Sequence, residues 1–233
     1  MRLAFIRTSA ADDYCDEFQS AMASEYEQGT PWTRMRLENV RLLVDPQSGD
    51  RVLDIGTAAG GISHFLSTLG CEPVGVDLSA AGIARARERY PELRFVVADA
   101  TSLPFEDSSF DKAVAADVTE HFDDETLRAA LVECRRVLVP GGTLSIHTPN
   151  PKHAIELLKA RNLVLEQNPT HIGLRTGPEL RCALEQAGFT VELDLRRAGF
   201  YPGLRTLERV VGSRVELLGY RICIRGRAGG TSS

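Results

Sequence analysis

Residues 52–61 read Val52-Leu53-Asp54-Ile55-Gly56-Thr57-Ala58-Ala59-Gly60-Gly61, and this stretch decides the fold. Its first four residues are typical of a buried strand, and the small residues that follow are typical of a tight turn. A helical pattern of apolar residues comes next, at Ile62, Phe65, Leu66 and Leu69. Glycine lets a turn approach a ligand closely, and a helix N-terminus presents unpaired N–H groups. The stretch therefore predicts a nucleotide-type site at the carboxyl end of a parallel strand.

The chain beyond this turn repeats the alternation of strand and helix. Further strands are predicted at 73–79, 95–99, 111–117 and 143–147, with a helix from about Asp124 to Leu138. Short turns between such elements specify a parallel sheet with helices on both faces. Two later strands, 190–196 and 220–225, flank a predicted helix at 201–214 and are expected to pair antiparallel. The predicted fold class is α/β, with a doubly wound and mostly parallel sheet.

Segments outside this alternation predict a small helical cap. Residues 1–47 contain two helical patterns, at 11–27 and from Thr30 to about Pro46, and form the predicted N-terminal cap. Residues 151–175 form an insertion whose amphipathic start suggests a lid. Residues 226–233 are rich in Gly, Ser and Arg and are expected to be a disordered tail.

Composition limits the classes of partner. The chain has 233 residues, is 43% hydrophobic and carries a net charge of −5, which argues against general nucleic-acid binding. Its five cysteines are scattered without C-x-x-C spacing, which indicates reduced thiols rather than a disulfide framework or a zinc site. The apolar run at the start is too short for a signal peptide or a membrane span. A cytoplasmic location without a membrane partner is expected.

Acidic residues end the predicted strands, and they separate the alternatives for the ligand. Asp77 lies 23 positions after Asp54, near the offset at which a carboxylate accepts both hydroxyls of a ribose. Ala58 interrupts the glycine pattern of both a dinucleotide loop and a methyl-donor loop. With Asp99 and Pro140-Gly141-Gly142, the set resembles the class I S-adenosylmethionine (SAM)-dependent methyltransferases, and a nicotinamide oxidoreductase is a weaker rival. The resemblance covers about residues 48–225 and implies a Rossmann-like domain whose last two strands form an antiparallel hairpin.

The resemblance implies which residues hold the SAM cofactor. Asp54 and the backbone of Gly56–Gly60 would hold the methionine part, Asp77 the ribose, and Asp99 with the Ala100 N–H the adenine. The backbone of Asp117 would line the methionine end. The full predicted cofactor-binding set is Asp54, Gly56, Thr57, Ala58, Gly60, Asp77, Leu78, Asp99, Ala100 and Asp117.

Residues 117–121, Asp117-Val118-Thr119-Glu120-His121, are the candidate for the chemistry. A helical turn here would place Asp117, Glu120 and His121 on one face. Neutral His121 would then be a general base supported by Glu120, or the three residues would bind a divalent metal ion that activates a hydroxyl. The stretch resembles the E-x-x-E-H of metal-linked O-methyltransferases, of the ubiquinone-biosynthesis and small-RNA types, with Asp117 in place of the first Glu. His171 lies where those families also place a histidine, as a fourth ligand or a second base.

The predicted function is SAM-dependent O-methylation of a small-molecule metabolite, because the cap is too small for a macromolecular substrate. His147 and Asn150, at the end of the fifth strand, are the candidate substrate contacts. N- or C-methylation, with His121 orienting the substrate, and a SAM-binding protein without catalysis remain open alternatives. Oligomeric state has no signature in the sequence.

Overall fold

A computed structural model describes residues 29–159, 168, 170–197 and 219–229. The predicted helices at 11–27 and 201–214, residues 160–167 and 169 of the predicted lid, and residues 230–233 of the predicted tail lie outside these ranges. The strands are β1 Arg51–Ile55, β2 Glu72–Asp77, β3 Arg94–Val97, β4 Phe110–Ala116, β5 Leu138–Pro149, β6 Phe189–Arg197 and β7 Arg221–Ala228. The helices are α1 Pro31–Val44, α2 Gly61–Thr68, α3 Ala80–Arg89, α4 Asp124–Val137, α5 Ala154–Lys159 and α6 Gly177–Gln186, with a 3₁₀ turn at Thr119–His121.

The strands form one seven-stranded sheet in the order β3-β2-β1-β4-β5-β7-β6. The first five strands pair in parallel, whereas β7 is antiparallel to both β5 and β6. The predicted mostly parallel sheet and its antiparallel end are confirmed. Because the strand order reverses at β1, a crevice opens between the carboxyl ends of β1 and β4. The turn after β1 and the stretch that begins at Asp117 both lie at this crevice.

Alternation along the central strands explains why helices cover both faces. In β1 and β4, Val52, Val114 and Ala116 pack on one face with Val40 of α1 and Leu66 of α2. The residues between them, Leu53, Ile55, Ala113 and Ala115, face the opposite way and belong to the larger core. There they join Leu127 and Leu131 of α4 and Leu180 and Leu184 of α6. A strand whose two sets of side chains are both buried reads as a nearly continuous apolar run, and β1 does so apart from Arg51 and the buried Asp54.

Helix α1 belongs to the main body of the protein. Thr30 caps it by accepting a hydrogen bond from the Thr33 N–H, and Pro31 occupies its first turn. The Ser145 hydroxyl of β5 donates to the Leu43 carbonyl at 2.9 Å, and α1 packs over β4, β5 and β7. The helical cap predicted for residues 30–46 is thus a helix on the sheet, and it brings Arg36 and Asn39 to the edge where the strands end.

The end of the chain differs from the sequence prediction. Gly226, Arg227 and Ala228, predicted as part of a disordered tail, form the last residues of β7. Ala228 is buried, and Arg227 forms an ion pair with Glu192 of β6. Residues 226–228 pair with β6, which gives their backbone groups hydrogen-bond partners. The Gly-, Ser- and Arg-rich composition does not reveal this pairing.

The four cysteines within the described ranges are free thiols. Within the same ranges, no helix has both the length and the apolar character needed to cross a membrane.

The turn after β1 places a non-glycine residue in the left-handed backbone region. Gly56 and Gly60 have φ values of +72° and +83°, and Ala58 between them has +49°. Ala58 donates its N–H to the Asp77 carboxylate at 2.9 Å, which holds this conformation in place. The left-handed region costs a residue with a Cβ atom about 1–2 kcal/mol relative to glycine.

Ala58→Gly is therefore expected to raise the free energy of unfolding by about 0.5–1 kcal/mol, since the relief of strain exceeds the added flexibility of the unfolded chain. Urea denaturation measures the change. Ala84→Gly, at an exposed position in the interior of α3, is the matched control and is expected to lower the free energy of unfolding by about 1 kcal/mol. A lower free energy of unfolding for Ala58→Gly than for the parent protein would contradict the conclusion that Ala58 is strained.

Candidate active site

Asp54 at the end of β1 bonds to the turn that follows the strand, residues 56–60, which is the predicted cofactor loop. Its side chain is 1% exposed, and one carboxylate oxygen accepts hydrogen bonds from the hydroxyls of Thr57 and Ser63, each at 2.7 Å. The other oxygen, Oδ1, is buried and has no hydrogen-bond partner among the described residues. Burial raises the pKa of Asp54, and the two hydroxyl bonds oppose that rise. Thr57, predicted as a cofactor contact, directs its side chain inward to Asp54 and is buried.

Gly56 links the cofactor loop to the next segment of the site. A Cβ atom added at Gly56 would lie 2.6 Å from the side chain of Val118, which follows Asp117 in the chain. The Gly56 N–H donates to the Val76 carbonyl at 2.9 Å, so the backbone cannot move away from this contact. Glycine at this position allows the cofactor loop and the stretch after β4 to touch.

Asp77 ends β2 and faces the same loop. Its two oxygens accept backbone hydrogen bonds from Ser79 at 2.8 Å and Ala58 at 2.9 Å. Burial raises the pKa of Asp77, and these two bonds oppose the shift. A carboxylate has about four acceptor positions, so two remain for a ligand. Leu78 beside it is 56% exposed and offers an open apolar surface.

Asp99 and Ala100 follow β3 at the outer side of the crevice. Asp99 is exposed, and its Oδ1 atom accepts from both the N–H and the hydroxyl of Thr101 at 2.8 Å. This local turn holds the aspartate side chain at the edge of the sheet, and Ala100 is half-buried behind it. Both residues lie at the same sheet edge as Asp54 and Asp77.

The side chain of Asp117 is held by two arginines. Arg36 of α1 places its Nε atom 2.8 Å from Asp117 Oδ2 and donates from Nη2 to the Ala116 carbonyl at 2.8 Å. Arg221 at the start of β7 places Nη1 3.1 Å from Asp117 Oδ1. Burial alone would raise the pKa of Asp117, but the charges of Arg221 and Arg36 outweigh it and hold the pKa well below its usual range. Asp117 is therefore an anion between two cations.

This pairing separates Asp117 from the other members of the predicted cluster. Asp117 has a φ of +55°, and the 3₁₀ turn begins only at Thr119, so the three residues do not share one helical face. Among the described residues, the side chains whose possible ligand atoms lie together are Glu120, His121 and His171, without Asp117. The carboxylate of Asp117 pairs instead with the two guanidinium groups.

His147 and Asn150, the predicted substrate contacts, are both buried, and their side chains bond to other parts of the protein. His147 is fully buried, with Nδ1 3.4 Å from Asp117 and Nε2 3.3 Å from the Asn39 amide nitrogen. Arg197 donates to Asn39 Oδ1 at 3.0 Å, which orients that amide so that it donates to His147. Burial lowers the pKa of His147, so it is neutral with its proton on Nδ1.

Asn150 fixes the exit of β5. It is 2% exposed, donates from its side chain to the Gly219 carbonyl at 2.7 Å, and accepts from the Lys152 N–H at 3.1 Å. Its predicted position at the strand end is right, but its amide joins two chain segments.

Glu120 is a buried carboxyl group. It is 2% exposed and accepts a hydrogen bond from the Thr148 hydroxyl of β5 at 3.0 Å. Burial and the negative charge of Asp117 together raise the pKa of Glu120 to about 8. Glu120 is therefore mostly protonated at neutral pH and can act as a hydrogen-bond donor.

His121 presents one ring nitrogen as a base. Its Nδ1 atom lies 3.1 Å from the Thr170 carbonyl oxygen, and a carbonyl can only accept. Nδ1 therefore carries the proton, and Nε2 carries the lone pair. Burial lowers the pKa of His121, and the bond to Thr170 opposes this shift, so the neutral ring is favoured.

His171 completes a cluster that the sequence predicted in part. The rings of His121 and His171 meet edge to face with centroids 5.1 Å apart. One ligand atom from each of Glu120, His121 and His171 lies within 4.8 Å of the others. The cluster joins a residue pair after β4 to a residue 50 positions later in the chain.

Sequence reasoning missed the residues that hold this site together. Arg36, Asn39 and Arg221 come from α1 and β7. Arg36 and Arg221 meet Asp117, and Asn39 meets His147, only when those elements pack on the ends of β4 and β5. A single arginine in an amphipathic helix normally indicates a solvated face. No local pattern marks these three residues, since each acts through contacts more than 75 positions away in the chain.

Glu120 gives a pH-dependent prediction. Its carboxyl is protonated in the folded protein up to a pKa of about 8, whereas an unfolded glutamate has a pKa near 4.5. Its contribution to stability is complete below about pH 4.5 and is lost as pH rises toward 8, with a slope of at most about 1.4 kcal/mol per pH unit.

Glu120→Gln, which keeps an acceptor for Thr148, is therefore expected to gain stability relative to the parent protein between pH 5 and pH 8. Urea denaturation across this range measures the difference, and Glu88→Gln on the exposed side of α3 controls for the loss of a carboxyl charge. Parallel curves for Glu120→Gln and the parent protein would contradict the assignment.

Comparisons with known proteins agree with this geometry. Residues 52–142 match a family described as a methyltransferase domain. A probable S-adenosylmethionine-dependent methyltransferase of Mycolicibacterium smegmatis is 32% identical over 161 residues, which are 69% of this chain and 60% of that protein. This chain thus spans less than two thirds of the length of the mycobacterial relative.

Two further comparisons concern a fungal protein and a solved structure. The O-methyltransferase rstn1 of Aspergillus nomiae is 33% identical over 170 residues, covering 67% of this chain and 68% of the relative. A chain of the complex between the Haloferax volcanii Trm112 methyltransferase activator and its methyltransferase has the same fold, with a TM-score of 0.69, 20% identity and coverage of 95% and 98%. Because the fungal relative is similar over two thirds of both proteins and the sheet matches a methyltransferase complex chain, this chain belongs to the class I SAM-dependent methyltransferases.

Proposed function

We propose that this protein transfers the methyl group of SAM to a hydroxyl oxygen of a small-molecule acceptor, with His121 as the general base. The observation that carries the proposal is the state of His121, a largely buried imidazole whose neutral form is favoured and whose Nδ1 is bonded to Thr170, so that Nε2 carries the lone pair. His121 follows β4 at the crevice, close enough to Asp77 for the two to interact electrostatically.

The residues present fit SAM. The unpartnered Oδ1 of Asp54 is an acceptor suited to the amino group of the methionine part. In this proposal the backbone of Gly56 to Gly60 adjoins that part, and Asp77 accepts the two ribose hydroxyls. The exposed Leu78 offers an apolar surface to the base, with Asp99 and the Ala100 N–H at its edge. The bound cofactor supplies an activated methyl group on a sulfonium.

The protein's contribution is alignment and one proton acceptor. Holding an acceptor oxygen in line with the transferable methyl group lowers the barrier by about 7–11 kcal/mol. His121 Nε2 takes the hydroxyl proton as the oxygen attacks, which adds about 10²- to 10⁴-fold. Glu120, protonated at neutral pH, is able to donate a hydrogen bond beside His121 and would not act as a carboxylate. The name of the A. nomiae relative, an O-methyltransferase, supports oxygen as the acceptor atom.

A second candidate places a divalent metal ion at the cluster of Glu120, His121 and His171. The ligand atoms of the three side chains lie within 4.8 Å of one another, and imidazole nitrogens with a carboxylate oxygen are common ligands for such ions. A bound ion would displace the proton of Glu120 and use Nε2 of His121 for coordination. The ion would lower the pKa of the acceptor hydroxyl, and His121 would then not be needed as a general base.

His121→Ala is expected to lower kcat by about 10²- to 10⁴-fold with the SAM dissociation constant unchanged, because the ring acts on the acceptor and not on the cofactor. Transfer of a labelled methyl group measures turnover, and calorimetry measures SAM binding. Added imidazole should restore part of the activity if the ring acts as a base. Unchanged turnover in His121→Ala would overturn the proposal.

A further inference from the structure

We propose that Arg175 is a positioning residue that holds the Thr170 carbonyl against Nδ1 of His121, so that Nε2 is left free at the reaction centre. The inference rests on the proposed function in so far as Nε2 of His121 is the general base. The hydrogen bonds that hold Thr170 against Nδ1 are independent of that function. It assigns a role to a residue between the predicted lid and α6 that no motif marks.

Arg175 is buried, and its guanidinium group donates hydrogen bonds to three carbonyls and a carboxylate. It is 9% exposed, and its guanidinium donates to the carbonyls of Thr119, Gly173 and Phe122 at 3.2, 2.8 and 2.9 Å. It also donates to Asp124 from Nε at 3.1 Å and from Nη2 at 2.7 Å. Three of these acceptors, Thr119, Phe122 and Asp124, belong to the stretch that contains His121. One side chain therefore joins segment 170–175 to both sides of the histidine.

Gly173 provides a second attachment between the same two segments. Its N–H donates to the Glu120 carbonyl at 2.8 Å, and a Cβ atom at this position would lie 1.8 Å from the Phe122 carbonyl oxygen. Only glycine permits the two backbones to come this close. The segment is thus held against the turn by a backbone bond and by the guanidinium together.

Asn168 aims the Thr170 carbonyl within this segment. Its Oδ1 accepts from the Thr170 N–H at 3.0 Å and from the Thr170 hydroxyl at 2.7 Å, and its own carbonyl accepts from the His171 N–H at 3.1 Å. Such a turn sets the direction of the peptide that contains the Thr170 carbonyl. Arg175 fixes where the segment lies, and Asn168 fixes how its peptide is turned.

The chemistry of this contact determines which nitrogen of His121 is free. The proton on a neutral imidazole goes to the nitrogen that faces an acceptor, and the other nitrogen becomes the base or ligand. Without the Thr170 carbonyl, either nitrogen can hold the proton. Lysine cannot replace Arg175, because an ammonium group lacks the planar set of donors that reaches three carbonyls and a carboxylate.

Nitrogen NMR of the ring nitrogens in the 233-residue chain at neutral pH tests the proposal, and the His121 signals are identified by their absence in His121→Asn. The parent protein is expected to show protonated Nδ1 and unprotonated Nε2. Arg175→Met is expected to show a mixture of the two tautomers and a fall in kcat of about 10- to 100-fold, with SAM affinity unchanged. Arg181→Met is the matched control, since Arg181 of α6 pairs with Asp194 at 3.1 Å away from this turn, and it is expected to retain the tautomer and kcat of the parent.

An unchanged His121 tautomer in Arg175→Met, or a proton on Nε2 in the parent protein, would overturn the proposal. If Arg175→Met does not fold, Asp124→Ala decides, because it removes two of the guanidinium bonds at a largely exposed side chain. A shift of His121 toward the other tautomer in Asp124→Ala supports the proposal. Signals in Asp124→Ala that are identical to those of the parent protein overturn it. The tautomer is read without turnover, so an active His121→Ala would refute the base and leave the role of Arg175 standing.

Discussion

The arrangement of the site depends on the ion pairs between Asp117 and the two arginines Arg36 and Arg221. They hold a residue with a left-handed backbone at the end of β4, where the chain leaves the sheet and enters the turn of His121. Removing one partner of a buried ion pair typically costs about 3–5 kcal/mol, because a charge is left without compensation. The same pairs bind α1 and β7 to the edge of the sheet, so both elements become part of the site.

The surroundings shift the pKa values of the neighbouring residues Glu120 and His121 in opposite directions. The negative charge of Asp117 and burial keep the proton on Glu120, whereas burial keeps His121 neutral. The result is a hydrogen-bond donor beside a proton acceptor on one short turn. Pairs whose pKa values diverge in this way are common where acid and base roles are divided. Thr148 and Thr170 complete the pair, since each gives one of the two groups a fixed hydrogen-bond partner.

Much of the fold was predictable because its signals are local. The apolar run of β1, the glycines after it and the acids that end β1 and β2 each lie within a few residues, and they led to the correct sheet and family. Glu120, His121 and His171 were also predicted, and the structure brings them together. The separation of Asp117 from them and the burial of His147 and Asn150 were not predictable. They depend on Arg36, Arg221 and Asn39, which lie far apart in the chain and meet only after the helix and the last strand have packed.

Transfer of a labelled methyl group from SAM to a panel of hydroxylated metabolites, with a chelator present, tests the central claim most directly. The account with His121 as general base predicts that the label appears as a methyl ether and that the chelator leaves the rate unchanged. Label on nitrogen or carbon, no transfer to any hydroxyl, or activity that is abolished by the chelator and restored by a divalent ion would contradict it.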